Sequence, residues 1–290
     1  MRWLVTGANG QLGQDLTRVL AADADAEVRA LGSAELDITS SAAISRIFAE
    51  FQPDVVLNAA AYTAVDAAET DEQRAYAVNA GGPALLATHA ARTGARLVQP
   101  STDYVFDGTA TSPYPVDAPT GPRSAYGRTK LAGEQAVREL APEHGFVVRT
   151  SWVYGAHGKN FVKTMSRLEA SRDTITVVGD QTGAPTWSFD LAGRLVDLAR
   201  SDVAAGIYHC TGAGSTTWHG FAQAIFAELG ADPERVQPIS TAEYPVPAPR
   251  PAYSVLSNSE WLAAGLPPMM EWRDALRAAF AADRSAYLAS

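Results

Sequence analysis

A tyrosine and a lysine four residues apart, Tyr126 and Lys130, form the pair in this sequence best suited to chemistry. In a helix, residues i and i+4 lie on the same face, so the phenol and the ammonium would point the same way. A free tyrosine has a pKa of about 10, and a nearby cation favours its ionised form. Lys130, one of only three lysines in the chain, could be that cation. The pair is therefore a candidate acid–base group, although the same spacing also occurs on exposed helices where a lysine stem packs on a tyrosine ring.

A glycine-rich turn near the N-terminus predicts a site for a dinucleotide. Residues 2–6 read as a buried strand, Gly7, Gly10 and Gly13 follow, and residues 15–20 have helical spacing. Glycines in such a turn let the backbone approach a pyrophosphate, which then faces the N-terminus of the helix. The spacing G-x-x-G-x-x-G fits the general fingerprint loosely, and the alternative is a turn that merely needs glycine.

The second predicted strand, residues 27–31, should carry the group that distinguishes NADH from NADPH. An NAD-selective site usually has an acid at this point, whereas Gly32 and Ser33 follow the strand here. The sequence therefore predicts no acid at the tip and leaves the choice of cofactor open. Asp37 and Ile38 come slightly later and could lie beside the adenine.

Further site candidates follow the next three predicted strands. The strand that ends at Asn58 is followed by Ala59-Ala60-Ala61-Tyr62-Thr63, whose three alanines are small, and the strand over 96–99 runs into Ser101-Thr102-Asp103. Ligands bind at the carboxyl ends of parallel strands, so these hydroxyls are candidates, with a simple turn as the alternative. Trp152 follows a strand over 146–150, where a tryptophan is either core packing or a flat wall for a sugar or base.

The alternation of strands and helices predicts an α/β fold with a doubly wound, Rossmann-like parallel sheet and a smaller C-terminal substrate lobe. Residues 65–94 read as helical with an interruption at 81–83. We expect an NAD(P)-binding domain over 1–155, together with part of 175–210. The remainder of 156–290 would mainly form a discontinuous lobe that binds a sugar nucleotide.

Composition narrows the class of protein. The net charge of −9 and pI of about 5.0, without a basic run, argue against nucleic-acid binding. No apolar run reaches the length of a membrane span, and the first residues lack the layout of a signal peptide. A single cysteine excludes an intrachain disulfide. These features predict a cytoplasmic protein with no membrane partner.

Together, the glycine loop, Asn58-Ala-Ala, Ser101-Thr102 and Tyr126-x-x-x-Lys130 resemble the extended short-chain dehydrogenase/reductase family. The resemblance is closest to its members that reduce dTDP-linked keto sugars. Five blocks carry the narrower match: residues 58–66 (NAAAYTAVD), 101–106 (STDYVF), 126–134 (YGRTKLAGE), 149–154 (RTSWVY) and 180–185 (DQTGAP).

The resemblance implies a role for each site residue. Tyr126 would be the proton donor, Lys130 would bind the cofactor ribose and lower the pKa of Tyr126, and Thr102 would be the third catalytic group. Thr102, Asp103 and Trp152 would bind the sugar. The cofactor-binding residues would be Gly7, Gly10, Gln11, Leu12, Gly13, Asp37, Ile38, Ala60, Ala61, Tyr62 and Thr63, together with Tyr126 and Lys130.

The implied reaction is reduction of the C4 ketone of dTDP-4-dehydro-β-L-rhamnose to dTDP-β-L-rhamnose with NADPH or NADH, the last step of dTDP-L-rhamnose biosynthesis. The diphosphate of this substrate needs cations, and Arg250 in the proline-rich segment 245–251 is a candidate. Some relatives dimerise through Mg²⁺ held by carboxylates. Asp15 and Asp190 lie near the corresponding stretches, but aspartate is shorter than the glutamate used there, so no metal is assigned and the chain is expected to be a monomer or homodimer.

Two alternatives remain at this point. The chain could be a sugar-nucleotide epimerase or dehydratase, which keeps a bound NAD⁺ and needs no net reductant. It could also be a non-catalytic NADP-binding subunit, like the regulatory subunit of methionine adenosyltransferase. Retention of Thr102, Tyr126 and Lys130 argues against the second alternative.

Overall fold

A computed structural model describes residues 1–288 of the chain. The strands are β1 Arg2–Thr6, β2 Glu27–Leu31, β3 Val55–Asn58, β4 Arg96–Thr102, β5 Gly145–Thr150, β6 Val153–Tyr154, β7 Ile175–Val178, β8 Thr182–Gly183, β9 Thr186–Trp187, β10 Gly206–His209, β11 Thr216–Thr217 and β12 Val236–Ile239. The α-helices are α1 Gln11–Ala21, α2 Ser41–Phe51, α3 Val65–Ala68, α4 Glu72–Tyr76, α5 Gly82–Thr93, α6 Ala125–Leu140, α7 Phe161–Ser171, α8 Ser188–Arg200, α9 Trp218–Leu229, α10 Ser259–Ala263, α11 Trp272–Ala282 and α12 Arg284–Tyr287. Short 3₁₀ turns occur at Asp103–Val105, Pro233–Arg235 and Thr241–Glu243.

Six strands form one parallel sheet in the order β10-β5-β4-β3-β1-β2. The order reverses between β1 and β3, so the loops after these two strands diverge and leave a crevice at the carboxyl edge. This arrangement confirms the predicted doubly wound fold.

Alternating side chains give the sheet its two apolar faces. Trp3 and Val5 of β1 pack with Leu16 and Leu20 of α1 and with the leucines of α8. Leu4, between them in sequence, points to the opposite face, where α2, α5 and α6 pack. Because both faces are covered, the central strands are mainly apolar, as expected for a parallel sheet, and their buried polar residues gather toward the carboxyl ends of β4 and β5.

The C-terminal part builds a second core beside the sheet. In this core, α7, α9 and α11 pack around β7 and β12, which pair in parallel. The chain also returns to the main sheet twice, through α8, which packs on α1, and through β10, which pairs with β5. The predicted boundary at residue 155 remains a prediction.

The predicted interruption at residues 81–83 is wrong. A π-helical turn, Ala77–Gly81, joins α4 directly to α5, and Pro83 lies in the first turn of α5. The amide of Gly82, next to Pro83, donates to the carbonyl of Ala77, so the helix continues through this point. The break falls earlier, between α3 and α4.

Within residues 1–288, no helix is both long and apolar enough to span a membrane.

Candidate active site

A cavity of about 610 Å³, here the main cavity, opens at the carboxyl ends of β1, β3, β4 and β5. A groove of about 340 Å³ adjoins it and shares Gly10, Ala59 and Ala61 with its wall. Most of the predicted site residues line one or both. The main cavity contains Gly10, Gln11, Leu12, Ala61, Thr63, Thr102, Asp103, Tyr126, Lys130 and Trp152. The groove contains Gly7, Gly10, Asp37, Ile38, Ala60, Ala61 and Tyr62.

The glycine loop is shaped by contacts that exclude side chains. Gly7 has a φ of +63°, and a Cβ there would lie 2.5 Å from the backbone nitrogen of Ala60. A Cβ on the buried Gly13 would lie 2.2 Å from the carbonyl oxygen of Gly7. The first turn of α1 has no side-chain cap, so its amides face the cavity and can meet an anionic group.

Gln11 can contribute to this loop mainly through its backbone. Its side-chain amide donates to the carbonyl of Val153 at 3.1 Å, and its carbonyl oxygen accepts from Asn160 at 3.0 Å. Both partners lie beyond β5, so the side chain of Gln11 ties the glycine loop to the other wall of the main cavity.

Helix α6 places Tyr126 and Lys130 on the cavity wall. Ser124 caps the helix by accepting from the amide of Gly127 at 3.1 Å. The helix packs closely on its neighbours because two of its residues are glycines. A Cβ on Gly127 would lie 2.3 Å from the carbonyl oxygen of Tyr104, and one on Gly133 would lie 2.0 Å from that of Asn79.

Lys130 is buried and held in place by a backbone acceptor. Its Nζ donates to the carbonyl of Pro100 at 2.7 Å, and the residue is 5 % exposed. Burial lowers its pKa to about 8, although Glu134 one turn along the helix opposes the shift. Glu134 in turn forms a buried, bidentate ion pair with Arg149 of β5, at 2.7 Å.

The pKa of Tyr126 lies above its ordinary value, and the lowering by Lys130 remains a prediction. Burial raises the pKa of Tyr126 well above its usual range, the charge of Asp103 adds to the rise, and Thr102 offsets part of it. Desolvation of the phenolate thus outweighs any effect of the neighbouring cation. The phenol is consequently protonated at neutral pH, which is the form that a proton donor needs.

Thr102 and Asp103 lie at the end of β4 and line the same cavity as Tyr126. Thr102 Oγ1 donates to Asp103 Oδ1 at 3.0 Å and accepts from the amide of Tyr104 at 3.2 Å. Asp103 is 2 % exposed, and its Oδ2 has no hydrogen-bond partner among residues 1–288. Burial raises the pKa of Asp103 to about 6.

Because burial of the Asp103 carboxylate is unfavourable, we expect Asp103→Asn to change how stability depends on pH. The folded state holds the Asp103 proton up to about pH 6, while the unfolded chain loses it near 3.8. Wild-type stability therefore falls as pH rises through this window, by on the order of 2–3 kcal/mol from this one group. Thermal melts of both proteins between pH 4 and 7 should show the variant gaining relative to wild type as pH rises. A difference that is constant with pH would contradict the assignment.

Asn79, which no sequence motif marks, holds two site segments together without lining either cavity. Its side chain accepts from the amide of Tyr62 at 2.9 Å and donates to the carbonyl of Tyr62 at 3.0 Å. It also donates to Thr129 of α6 at 3.1 Å. Asn79 lies in the π-helical turn, a feature that often marks functional positions, and it links the loop after β3 to the helix that carries Tyr126.

The groove contains charged groups at the predicted adenosine end. Arg74 and Ser33 line it together with Asp37, whose carboxylate is held by the amide and hydroxyl of Thr39 at 2.9 and 2.7 Å. Glu35 folds back toward the end of β2 and accepts from the amide of Gly32 at 2.9 Å, but it does not line the groove.

Arg250 does not line the main cavity. It lies in a cavity of about 390 Å³ between the sheet and the second core, here the lobe cavity, whose wall includes Tyr104, Gln181, Trp218 and Tyr244. Its guanidinium forms an ion pair with Asp66 at 2.8 Å. Tyr104 lines both cavities, so a long ligand could extend from one to the other.

Trp152 lines the main cavity, but it does not offer an open aromatic face on both sides. Trp218 stacks on it with ring centroids 3.5 Å apart and an angle of 7° between the planes. Of the two alternatives for Trp152, core packing describes the face that Trp218 covers, and contact with a sugar remains a prediction.

Asp15 and Asp190, which lie near the stretches where some relatives hold Mg²⁺, each accept a hydrogen bond from another part of the chain. Asp15 is buried and accepts from the hydroxyl of Ser188, while Asp190 accepts from the amide of Met270 at 2.9 Å. Among residues 1–288, no group of three or more His, Cys, Asp or Glu side chains is arranged to hold a metal ion.

Several further residues on the main cavity could not be selected from the sequence. Lys159 and Gly158 come from the loop after β6, and the hydroxyl of Thr150 is buried without a partner within residues 1–288. The hydroxyl of Ser101, which the sequence does predict as a candidate, is buried in the same way. A buried lone hydroxyl on a cavity wall can be satisfied by a polar ligand.

Comparison with known proteins gives a consistent result over the whole chain. The family model described as RmlD substrate binding domain matches residues 1–285. A dTDP-4-dehydrorhamnose reductase of Streptomyces griseus is 53 % identical over 285 residues, covering 97 % of this chain and 93 % of that protein. One of Mycobacterium tuberculosis is 50 % identical over 286 residues, covering 97 % of this chain and 93 % of that protein.

A solved structure agrees with these matches. The dTDP-4-dehydrorhamnose reductase of Bacillus anthracis, solved in complex with NADP, has a TM-score of 0.92 and 39 % identity. The alignment covers 97 % of this chain and 99 % of that one.

Proposed function

The chain belongs to the RmlD substrate binding domain family, and on this premise we propose that it reduces the C4 ketone of dTDP-4-dehydro-β-L-rhamnose to dTDP-β-L-rhamnose. It is an oxidoreductase that uses NADPH or NADH in the last step of dTDP-L-rhamnose biosynthesis, as a monomer or homodimer. One observation carries the proposal: Thr102, Tyr126 and Lys130 share the wall of one cavity with the uncapped start of α1.

The residues around the glycine loop fit a dinucleotide. The space that a Cβ would fill at Gly7 and Gly13 is already taken by backbone, so the loop can close tightly and expose its amides. Gly10, Gln11 and Leu12 would hold the pyrophosphate, Asp37 and Ile38 the adenosine end, and Ala60 to Thr63 the stretch between. When bound, NADPH or NADH supplies a hydride from C4 of its nicotinamide.

The other residues stabilise the charge that forms on the sugar. As the ketone is reduced, negative charge grows on its oxygen, and the phenol of Tyr126 can donate a hydrogen bond and then the proton. Thr102 can donate a second hydrogen bond once its hydroxyl rotates away from Asp103. Lys130⁺, fixed by Pro100, stabilises the phenolate that remains.

The two cavities suit the two halves of the substrate. The sugar would lie in the main cavity against Thr102, Asp103 and Trp152. The nucleotide would extend past Tyr104 into the lobe cavity, where Arg250 can approach the diphosphate in exchange for part of its contact with Asp66. We accordingly propose a nucleotide-binding domain over 1–155 with part of 175–210, and a sugar-nucleotide lobe formed mainly by the rest of the chain.

Net consumption of reductant tests this function. Purified protein with dTDP-4-dehydro-β-L-rhamnose should oxidise one equivalent of NADPH or NADH per sugar reduced. An epimerase or dehydratase returns its hydride, so turnover of the sugar without loss of NADPH or NADH would contradict the proposal. Binding of NADPH without oxidation, in a chain that co-purifies with a synthetase, would favour a regulatory subunit instead.

Arg74 is expected to favour NADPH over NADH. It places a cation in the groove, where the additional phosphate of NADPH would lie near Ser33, while the Asp37 carboxylate is engaged by Thr39. An exposed charge pair contributes up to about 1 kcal/mol, so Arg74→Ala should raise the KM for NADPH roughly five-fold and leave that for NADH unchanged. Arg46→Ala, on the exposed surface of α2, is the matched control. Equal effects on both cofactors would disprove the assignment.

A further inference from the structure

Trp152 has a backbone conformation that its surroundings must enforce. Its φ is +47°, in the left-handed region that residues other than glycine rarely adopt. Such a conformation is unfavourable and persists where neighbouring groups fix it. The contacts of the indole show which groups these are.

Trp218, at the start of α9, covers one face of the Trp152 indole. A centroid distance of 3.5 Å with nearly parallel planes leaves little lateral offset, because two stacked rings are already about this far apart at contact. Trp218 is itself supported by Phe161, with ring centroids 4.6 Å apart, and by Phe221 at 6.4 Å.

Gly183 of β8 approaches the opposite face. A Cβ at position 183 would lie 2.4 Å from Cε2 of Trp152 and 2.6 Å from both Cζ2 and Nε1. If this Cβ lay in the plane of the indole, beyond its edge, it would be nearer to Cζ2 and Nε1 than to Cε2, which lies between them. It is instead nearest to Cε2, so it lies above the plane of the ring. Since Trp218 fills one face, the backbone of Gly183 must lie over the other.

With Trp218 stacked on one face and Gly183 over the Cε2 region of the other, Trp152 has little open face for the main cavity that it lines, and its edge is the part best placed to contact a ligand. An indole edge carries the Nε1–H donor, while its face offers only apolar contact. We propose that Trp218 and Gly183 clamp Trp152 so that it recognises a sugar hydroxyl or ring oxygen with its edge. The identity of the ligand as a sugar rests on the proposed function. The packing of Trp218 and Gly183 against Trp152 is independent of that function.

The clamp also connects the two cavities. Trp152 lines the main cavity, and Trp218 lines the lobe cavity. Trp218 is therefore a positioning residue: it acts on the sugar through Trp152 and lies where the nucleotide half of the substrate is proposed to bind.

Two variants, Trp218→Leu and Gly183→Ala, disturb the clamp by different means, and a third, Trp218→Phe, tests its recovery. Trp218→Leu removes the stacked ring, and Trp218→Phe restores an aromatic face. Gly183→Ala keeps every aromatic group and displaces Trp152 through one methyl group, so it remains informative if Trp218→Leu fails to fold. Trp187→Leu, at a partly buried tryptophan of the same lobe that lines none of the cavities described, is the matched control.

The first readout does not depend on activity. In protein labelled with 5-fluorotryptophan, the fluorine resonance of Trp152, assigned with Trp152→Phe, should shift in Trp218→Leu and in Gly183→Ala but not in Trp187→Leu. An unchanged Trp152 resonance in both clamp variants would overturn the clamp, whether or not the protein is a reductase.

The second readout concerns substrate binding. Both clamp variants should raise the KM for the sugar nucleotide about ten-fold or more with kcat changed less than three-fold, and Trp218→Phe should recover most of the loss. A shifted Trp152 resonance with a wild-type KM would overturn the role of the edge in sugar recognition. Wild-type protein that consumes no reductant would refute the proposed function and leave the first readout intact.

Discussion

Tyr126→Phe is expected to lower kcat by roughly 10²-fold or more while leaving cofactor binding nearly unchanged. The substitution removes one oxygen from the cavity wall, and with it the only part of the side chain that can deliver a proton. Loss of a general acid typically reduces rate by this amount or more. The edge-to-face contact with Tyr104, with ring centroids 5.7 Å apart, should persist because the ring is retained.

Steady-state turnover and fluorescence titration with NADPH measure the two halves of this prediction. Tyr208→Phe is the matched control. Tyr208 lies on β10, its hydroxyl donates to the carbonyl of Ala204, and the residue does not line the main cavity. Wild-type turnover in Tyr126→Phe would show that another group protonates the sugar.

Lys130→Met should lower kcat/KM by roughly 10²-fold. Removal of one group that stabilises a developing negative charge on oxygen typically has an effect of this size. Methionine approximately fills the buried volume but loses both the positive charge and the hydrogen bond to Pro100. Lys130→Arg should not rescue activity, because a planar guanidinium cannot replace a compact ammonium in a site that is 5 % exposed.

The pH dependence provides a separate measurement on Lys130. Its folded pKa of about 8 predicts that kcat/KM for wild type, which reports the free enzyme, falls as pH rises through 8 because the ammonium loses its proton. This alkaline limb should be absent from the residual activity of Lys130→Met. Lys163→Met, on α7, is the control and should retain it. A limb that persists in Lys130→Met belongs to another group.

The sequence predicted the sheet well because its signals are local. Each central strand is a short apolar run bounded by polar or small residues, and the helices between them have clear apolar faces. The glycine loop and the Tyr126–Lys130 spacing are likewise contained within a few residues. For this reason, the order of strands and helices alone was enough to place the glycine loop and the Tyr126–Lys130 pair at the carboxyl edge of the sheet.

Interactions between distant segments could not be predicted in the same way. Asn79 reaches Tyr62 and Thr129 only because a π-helical turn replaces the predicted break, and no local pattern marks that turn. Glu35 reaches the tip of β2 only through a turn in the chain. The covered faces of Trp152 depend on Gly183 and Trp218, which lie 31 and 66 positions further along the sequence.

The pKa of Tyr126 shows a different limit. The spacing of Tyr126 and Lys130 suggested that the cation would dominate, but both groups are buried and Asp103 lies nearby. Burial disfavours phenolate and ammonium alike. The size of the resulting pKa shift depends on how the surrounding residues pack, which the Tyr126–Lys130 spacing does not reveal.

The most direct test of the reaction follows the hydride. NADPH carrying deuterium at both C4 positions of the nicotinamide should be incubated with dTDP-4-dehydro-β-L-rhamnose and the wild-type chain, and the sugar analysed by NMR and mass spectrometry. The account predicts one deuterium at C4 of dTDP-β-L-rhamnose for each NADPH oxidised. A converted sugar without deuterium at C4, formed while the NADPH remains intact, would contradict it.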